Sequence, residues 1–240
     1  MAKIDKTQYT KDQFQKLLAE RKNQKAIEQV QATTAIVEAS NRLIKPNYGF
    51  VVGNGVSRSD IELAKLKQHG KIYACNAVYR DFEPDYLVAV DVKMINEIEK
   101  TGWQKTHSVW TNPNKTYKNY EGFNYFVPNK GWSSGPTALW MATQHRYEKI
   151  FILGFDYAGL TEGRLVNNIY AGTTNYKKST DSATYYGNWI RQTCNVIKEN
   201  TRTIFYRVIL PDNIIPPELN KFSNLKHIYV EDFKKMFNFL

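Results

Sequence analysis

The chain has 240 residues, of which 42% are hydrophobic and 14% aromatic, which excludes a disordered chain and a disulfide-held mini-protein and predicts one sizeable core. The 33 Lys and Arg residues against 23 Asp and Glu give a net charge of +10, which favours anionic partners such as nucleotides, nucleic acid or acidic glycans. No apolar run approaches the roughly 20 residues of a membrane helix, and the first residues show no apolar signal-peptide stretch, so we expect a cytoplasmic protein without a membrane span.

The first 45 residues differ in sequence pattern from the rest of the chain. A stretch without Gly or Pro follows Thr10, a predicted N-cap, and its apolar residues have helical spacing, which predicts a basic helical arm over residues 10–43. Its polar side is either a solvated face or a surface for a protein or nucleic-acid partner, and we expect its apolar side to pack on the following domain, a second copy or another partner. Its apolar residues include Phe14, Leu17, Leu18, Ile27, Val30 and Val37, and its polar face carries Lys16, Arg21, Lys22 and Lys25 against Glu20 and Glu28.

From residue 46 onward, the patterns of buried strands and of helices alternate. This alternation predicts an α/β fold over 46–240, a Rossmann-like, doubly wound, mostly parallel sheet. The predicted strands are YGFVVGN, KIYACN, YLVAVD, HSVWTN, FNYFV, KIFILGFD and TIFYRVIL, and the predicted helices cover residues 57–70, 133–146 and 182–200.

Two polar turns follow the first two predicted strands. Gly53-Asn54-Gly55-Val56-Ser57 comes directly before a predicted helix, so its glycines allow close backbone approach while the helix N-terminus favours a phosphate. A purely structural turn is the alternative. Asn76 ends the second strand, 23 residues after Gly53, where dinucleotide-binding folds place a ribose-reading acid. Its amide can both donate and accept, which suits a ribose hydroxyl or a base edge.

Two carboxylates and one helix start are expected at the same edge of the sheet. Asp91 follows the third strand, and Asp156 follows Gly154 after the strongest strand. Either carboxylate is a candidate general base, and either can instead cap the turn that follows it. Ser134 and Gly135 open a helix whose first N–H groups have no partner within the helix, so this end is a candidate anion site.

Residues 158–187 form a long polar segment. Loops of this length in a compact domain are usually lids or binding loops, although an ordinary surface loop is the alternative. Phenol hydroxyls and cationic side chains can close over an anionic ligand, and the rings exclude water. The segment supplies Arg164, Lys177, Lys178, Tyr170, Tyr176, Tyr185 and Tyr186.

These motifs together resemble the bacterial sialyltransferases typified by the Campylobacter lipooligosaccharide enzymes. The resemblance covers roughly residues 48–210 and consists of GNGxS after strand one, CN after strand two, SSG at a helix start, and I-x-L-x-G-x-D-Y before a Tyr-rich lid. The stretch PDYLVAVD is also similar to the related domain of motility-associated flagellin glycosylation proteins and of an archaeal pterin pyrophosphokinase.

The resemblance implies one Rossmann-like domain that takes a cytidine monophosphate sugar as substrate, with no metal and no further cofactor, and transfers the sugar with inversion. It implies that Asn54, Gly55 and Ser57 meet the phosphate or ribose. Asp156 would lie beside the sugar donor. Including the turn glycines, the candidate nucleotide-binding residues are Gly53, Asn54, Gly55, Ser57, Asn76, Ser134, Gly135 and Gly154, and the candidate catalytic residues are Asp156, Asp91, Tyr170 and Tyr176.

The sequence also departs from this family. A lid histidine acts as the base in the family, whereas no histidine of this chain lies between residues 158 and 187. The proline of the family's GNGPS is Val56 here, and the arm is not part of the family pattern. The first hypothesis is therefore a glycosyltransferase that acts on an acidic or polymeric acceptor, a glycan or DNA. The second is a non-catalytic module of a larger assembly such as a viral particle, and the third is a nucleotide pyrophosphokinase-like enzyme.

Overall fold

A computed structural model of the chain describes residues 10, 12–13, 15–16, 20–25, 27–28, 31 and 47–239. The chain divides between Lys45 and Pro46 into two units, and each is described by itself.

The described residues of the arm from Asp12 to Gln31 are helical. Thr10 caps the helix reciprocally with Gln13: the Thr10 N–H donates to Gln13 Oε1 at 3.0 Å, and the Gln13 N–H donates to Thr10 Oγ1 at 3.4 Å. The four basic residues of the polar face, Lys16, Arg21, Lys22 and Lys25, are helical and exposed. Ile27 is exposed, and the other predicted apolar positions and residues 32–43 lie outside the described residues.

The second unit is built on one sheet of eight parallel strands. Their order across the sheet is β5-β4-β3-β2-β1-β6-β7-β8, so the chain winds outward from β1 in one direction and then returns to its other side with β6. The strands are β1 (Tyr48–Val52), β2 (Gly70–Cys75), β3 (Tyr86–Val88), β4 (Val109–Thr111), β5 (Phe123–Tyr125), β6 (Lys149–Leu153), β7 (Ile204–Ile209) and β8 (Leu225–Tyr229).

Helices cover both faces of this sheet, because successive strand residues point to opposite sides. Phe50 of β1 belongs to the core under one pair of helices, and its neighbour Val51 belongs to the core under the other pair. The Rossmann-like, doubly wound α/β fold is therefore confirmed, with every strand pair parallel. The helices are α1 (Val92–Thr101) and α4 (Val230–Met236) on the first face, and α2 (Ser134–Gln144) and α3 (Gly187–Glu199) on the second.

The predicted helix over 57–70 is wrong. Two 3₁₀ segments, Val56–Arg58 and Leu63–Gln68, stand in its place. Ile61 and Leu63 are both buried in the same core, and two residues on a continuous α-helix would point about 200° apart. Gly70 is the first residue of β2 and not a helix stop; a Cβ there would lie 2.1 Å from the Tyr48 carbonyl oxygen.

The helix predicted from residue 182 starts later, at Gly187. The part of the chain that the structure describes contains no helix long and apolar enough to cross a bilayer.

Candidate functional site

A cavity of about 540 Å³ lies at the carboxyl ends of β1, β2, β3 and β6. This is where the winding direction reverses between β1 and β6, the place at which open α/β sheets bind ligands. The N-terminus of α2, the segment 158–187 and the start of α3 form its other walls.

The structure brings the candidate residues of the sequence analysis together around this cavity. All of them line it except two, Ser57 and Tyr170, which are buried beneath it. Their roles in binding or catalysis stay predictions. The candidates at the wall are Gly53, Asn54, Gly55, Asn76, Asp91, Ser134, Gly135, Gly154, Asp156 and Tyr176.

The carboxylate of Asp156 is engaged inside the protein. Its Oδ2 accepts the Ser57 backbone N–H at 3.1 Å, and its Oδ1 accepts the Ser57 hydroxyl. A Cβ on Gly55 would lie 2.5 Å from the Asp156 Cγ, so only glycine lets the turn pass this close to the carboxylate. Asp156 therefore holds the turn after β1 in position.

A second contact joins the ends of β1 and β6. The Gly55 N–H donates to the Gly154 carbonyl at 2.9 Å, and Gly154 has a positive φ of 68°. Arg207 of β7 supports this junction from below, since its guanidinium donates to the carbonyls of Phe155 and Asp156 at 2.8 and 2.9 Å. Burial lowers the pKa of Arg207, yet these carbonyls satisfy its donors.

Arg58 supports the same turn from the other side. Its Nε donates to the Gly53 carbonyl at 2.5 Å, and its Nη2 donates to the Tyr170 hydroxyl at 3.4 Å. Burial raises the pKa of Tyr170 to about 12, so this phenol is neutral and packs in the core. Tyr170 is therefore a support of the turn rather than a group at the cavity wall.

Ser134 joins the ends of β2 and β3 at the N-terminus of α2. Its hydroxyl donates to Asn76 Oδ1 at 2.8 Å and accepts the Val90 N–H at 3.1 Å. The amide oxygen of Asn76 thus accepts a hydrogen bond inside the protein, whereas its NH₂ group has no acceptor among the described residues. The N–H groups of Ser134 and Gly135, in the first turn of α2, also have no acceptor there. This corner of the cavity therefore offers several hydrogen-bond donors to a ligand.

Asp91 is the carboxylate of the cavity that the protein leaves unengaged. It is exposed to the cavity, and no described residue donates a hydrogen bond to its side chain. Partial desolvation raises its pKa above the ordinary value for aspartate. A carboxylate with these properties can accept a proton from a bound hydroxyl, which Asp156 is poorly placed to do.

The segment 158–187 lies closed over the turn after β1. The Asn167 side chain accepts the Val56 N–H at 2.9 Å, and the Ile169 N–H donates to the Asn54 carbonyl at 2.8 Å. The Tyr176 hydroxyl accepts from Asn54 Nδ2 at 3.2 Å and from the Ala77 N–H at 3.3 Å. The segment thus has the position of a lid, and its opening stays a prediction.

An ion pair outside the cavity anchors this lid. Arg80 binds Glu97 of α1 through both carboxylate oxygens, at 2.7 and 2.6 Å, and also donates to Thr173 Oγ1 at 2.8 Å. The Asn175 side chain donates to Glu97 at 2.6 Å. Desolvation opposes ionisation of Glu97, but the hydrogen bonds from Arg80, Tyr79 and Asn175 outweigh it and lower its pKa.

The sequence analysis missed several residues at the cavity. Asn167 was one polar residue among many in the lid, Trp189 lay inside the helix predicted over 182–200, and Trp132 lay just before the helix predicted over 133–146. Arg207 had a usable signal, because it is a lone cation in the apolar strand IFYRVI. Beyond Tyr176 and Tyr186 of the predicted lid, the aromatic lining residues include Trp132, Tyr157 and Trp189, and no histidine is among the described lining residues.

No protein-family model, no curated protein and no solved structure matches this chain.

Proposed function

We propose that this protein binds a nucleotide sugar, of the cytidine monophosphate type, in the cavity at the β1–β6 switch point and transfers the sugar to a hydroxyl of an acidic or polymeric acceptor. One observation carries the proposal: unpaired donors at the N-terminus of α2 and at Asn76 share one cavity with the unengaged carboxylate of Asp91. Donors suit the phosphate and base of the nucleotide, and the carboxylate suits the reacting hydroxyl.

The part of the cavity that offers hydrogen-bond donors has few ionised side chains. Lys177 is the one cationic side chain among its described lining residues. Phosphate binding therefore rests on the N–H groups of Ser134 and Gly135, on the dipole of α2 and on Lys177. The turn Gly53-Asn54-Gly55, fixed by Ser57, Asp156 and Arg58, gives this wall its shape.

In the transfer step, Asp91 acts as the general base. The acceptor oxygen forms a bond to the anomeric carbon while the bond from that carbon to the phosphate oxygen breaks. The electron pair of the broken bond leaves with the nucleotide phosphate, and the proton of the acceptor hydroxyl moves to Asp91. The raised pKa of Asp91 brings it nearer to the value that suits proton acceptance at neutral pH. Asp91 would thus take the role of general base that a lid histidine has in the sialyltransferase family that the sequence resembles.

The test is a nucleotide screen followed by a transfer assay. CMP, UDP, GDP and their sugar conjugates are compared by thermal shift, where a ligand at 100 times its Kd stabilises the protein by about 2.7 kcal/mol. The conjugate that binds is then assayed for release of free nucleotide with the wild type, Asp91→Asn and the exposed-site control Asp60→Asn. The proposal is supported if a sugar conjugate binds and if its nucleotide is released by the wild type and by Asp60→Asn but not by Asp91→Asn. Absence of affinity for every nucleotide contradicts it.

A second candidate is a non-catalytic module of a larger assembly. The observation that favours it is the absence of a histidine from the described cavity lining, combined with four exposed basic side chains on the helical arm. This function predicts no nucleotide-stimulated chemistry and an oligomeric state that depends on the arm. The same nucleotide screen separates it from the enzyme.

A further inference from the structure

Trp189 differs from the other tryptophans of the chain. It is 38% exposed, it lines the cavity, and its ring has no aromatic or cationic partner among the described residues. The other four rings are partnered. Trp103 stacks on His107 at 4.0 Å, Trp110 and Trp140 pack on Phe126 at 5.3 and 5.7 Å, and Trp132 lies under Lys130 Nζ at 5.3 Å. A large apolar ring left uncovered at a cavity wall is typical of a ligand contact.

The fold places Trp189 beside the donor corner of the cavity. Trp189 lies in the first turn of α3, and Gln192 follows it by one helical turn on the same face. The Gln192 side chain accepts the Ser133 N–H at 3.0 Å, which fixes this face of α3 against the start of α2. The N–H groups of Ser134 and Gly135 follow directly, and the Ser134 hydroxyl leads on to the Asn76 amide.

We infer that Trp189 is the platform on which the nucleobase of the bound nucleotide stacks. The inference rests on the proposed function and names the group that recognises the base. A planar heterocycle covers the indole face, and its edge nitrogen and oxygen atoms accept from the Asn76 NH₂ group, while the N–H groups of Ser134 and Gly135 remain for the phosphate. Stacking of this kind is worth about 1–3 kcal/mol per base when the aromatic residue is replaced by alanine.

The neighbouring donors favour a base over a sugar ring on this platform. Asn76 offers its NH₂ group, and Ser134 and Gly135 offer N–H groups, so this corner calls for a ligand rich in acceptors. A sugar ring carries hydroxyls that need acceptors as well as donors. The acceptor best able to receive those hydroxyls, Asp91, follows β3 and precedes α1, outside the α2–α3 corner. A sugar on Trp189 is nevertheless a distinct outcome of the test.

The experiment compares ligands with and without a base. Isothermal titration measures CMP and ribose 5-phosphate against the wild type, Trp189→Ala, Trp189→Phe and Tyr185→Ala. Tyr185 is the matched control, because it lies four positions before Trp189, is 76% exposed and does not line the cavity. We expect Trp189→Ala to weaken CMP binding about tenfold, Trp189→Phe to retain most of the affinity, and ribose 5-phosphate to bind all four proteins alike.

The outcomes separate the inference from the proposed function. Nucleotide binding by the wild type with equal CMP affinity in Trp189→Ala overturns the inference and leaves the proposed function standing. An equal loss of affinity for CMP and for ribose 5-phosphate in Trp189→Ala also overturns it and makes Trp189 a sugar platform. Absence of any nucleotide binding by the wild type overturns both. Thermal melting of each variant shows whether the fold is intact.

Discussion

Asp156 receives both the backbone N–H and the hydroxyl of Ser57, so one carboxylate holds the turn that leaves β1. The two residues are 99 positions apart in the sequence, and the contact joins the two strands that flank the switch point. The shape of the cavity wall therefore depends on this buried pair, of which Asp156 itself lines the cavity.

Replacement of Ser57 by alanine tests this pair. The change leaves one oxygen of the buried Asp156 carboxylate without its hydroxyl donor, so we expect a loss of about 1–3 kcal/mol in the free energy of unfolding. Urea denaturation measures it. Ser59→Ala is the control, because Ser59 lies two residues away and its hydroxyl makes only a solvent-exposed bond to the Val56 carbonyl, so we expect a smaller loss of stability. Equal effects of the two substitutions would show that the Asp156 contact does not stabilise the turn.

Ionisation of Asp91 should lower the stability of the folded protein, whereas ionisation of a paired carboxylate raises it. Its pKa is raised in the folded protein, so the ionised form costs stability, and the cost disappears below the ordinary aspartate pKa of about 3.9. We expect Asp91→Asn to be as stable as the wild type or more stable at pH 7, with the difference vanishing below about pH 4, while sugar transfer is lost. Thermal melting across pH and a transfer assay measure the two effects. A variant that is less stable at pH 7, or that retains transfer, would remove Asp91 from the role of base.

The lid should loosen when its anchor is broken. Glu97 has a lowered pKa, so its pairing with Arg80 stabilises the protein above the ordinary glutamate pKa of about 4.3 and is lost as the pH falls through the folded-state value. Glu97→Gln at pH 7 removes the charge, and we expect amide hydrogen exchange over residues 173–177 to accelerate about tenfold. Glu99→Gln on the same helix is the control, since no described residue pairs with it. Unchanged exchange in Glu97→Gln would mean that other contacts hold the lid.

The helical arm should act independently of the nucleotide site. We expect deletion of residues 1–45 to leave CMP affinity unchanged and to alter the oligomeric state measured by light scattering, because the arm forms a unit of its own. Replacement of Lys16, Arg21, Lys22 and Lys25 by Gln tests the nucleic-acid alternative, which requires a flatter salt dependence of DNA binding. No change in oligomeric state or in DNA binding would exclude a partner for the arm.

The sequence predicts seven of the eight parallel strands, five of them as segments that end in Asn or Asp, but it leaves other elements out. The amphipathic α1 packs Met94, Ile95 and Ile98 on the sheet, yet its charged residues resemble a surface loop in sequence. The strand β8 alternates buried and exposed positions only weakly, so its pattern is faint. Local propensity favours an α-helix over 57–70, and burial of Ile61 and Leu63 in one core overrides it.

Some features of the candidate site are likewise predictable from the sequence, and others are not. Polar residues at the ends of strands are predictable, because parallel strands end at a common edge, and Asn54, Asn76, Asp91 and Asp156 do line one cavity. The division of labour between the two carboxylates is not predictable, because it depends on the long-range contact from Ser57. Trp189 was also out of reach, since the exposed side of α3 is known only once the helix is packed.

The most direct test of the nucleotide site is a calorimetric titration of CMP into the wild type and into Asn76→Asp. Asn76 has a positive φ of 54°, which both Asn and Asp tolerate, so the substitution replaces the donating NH₂ group with a negative oxygen and changes little else. The account predicts saturable binding to the wild type and a loss of affinity of at least about tenfold in Asn76→Asp. Equal affinities in the two proteins, or no binding to either, would contradict the central claim that this cavity takes a nucleotide.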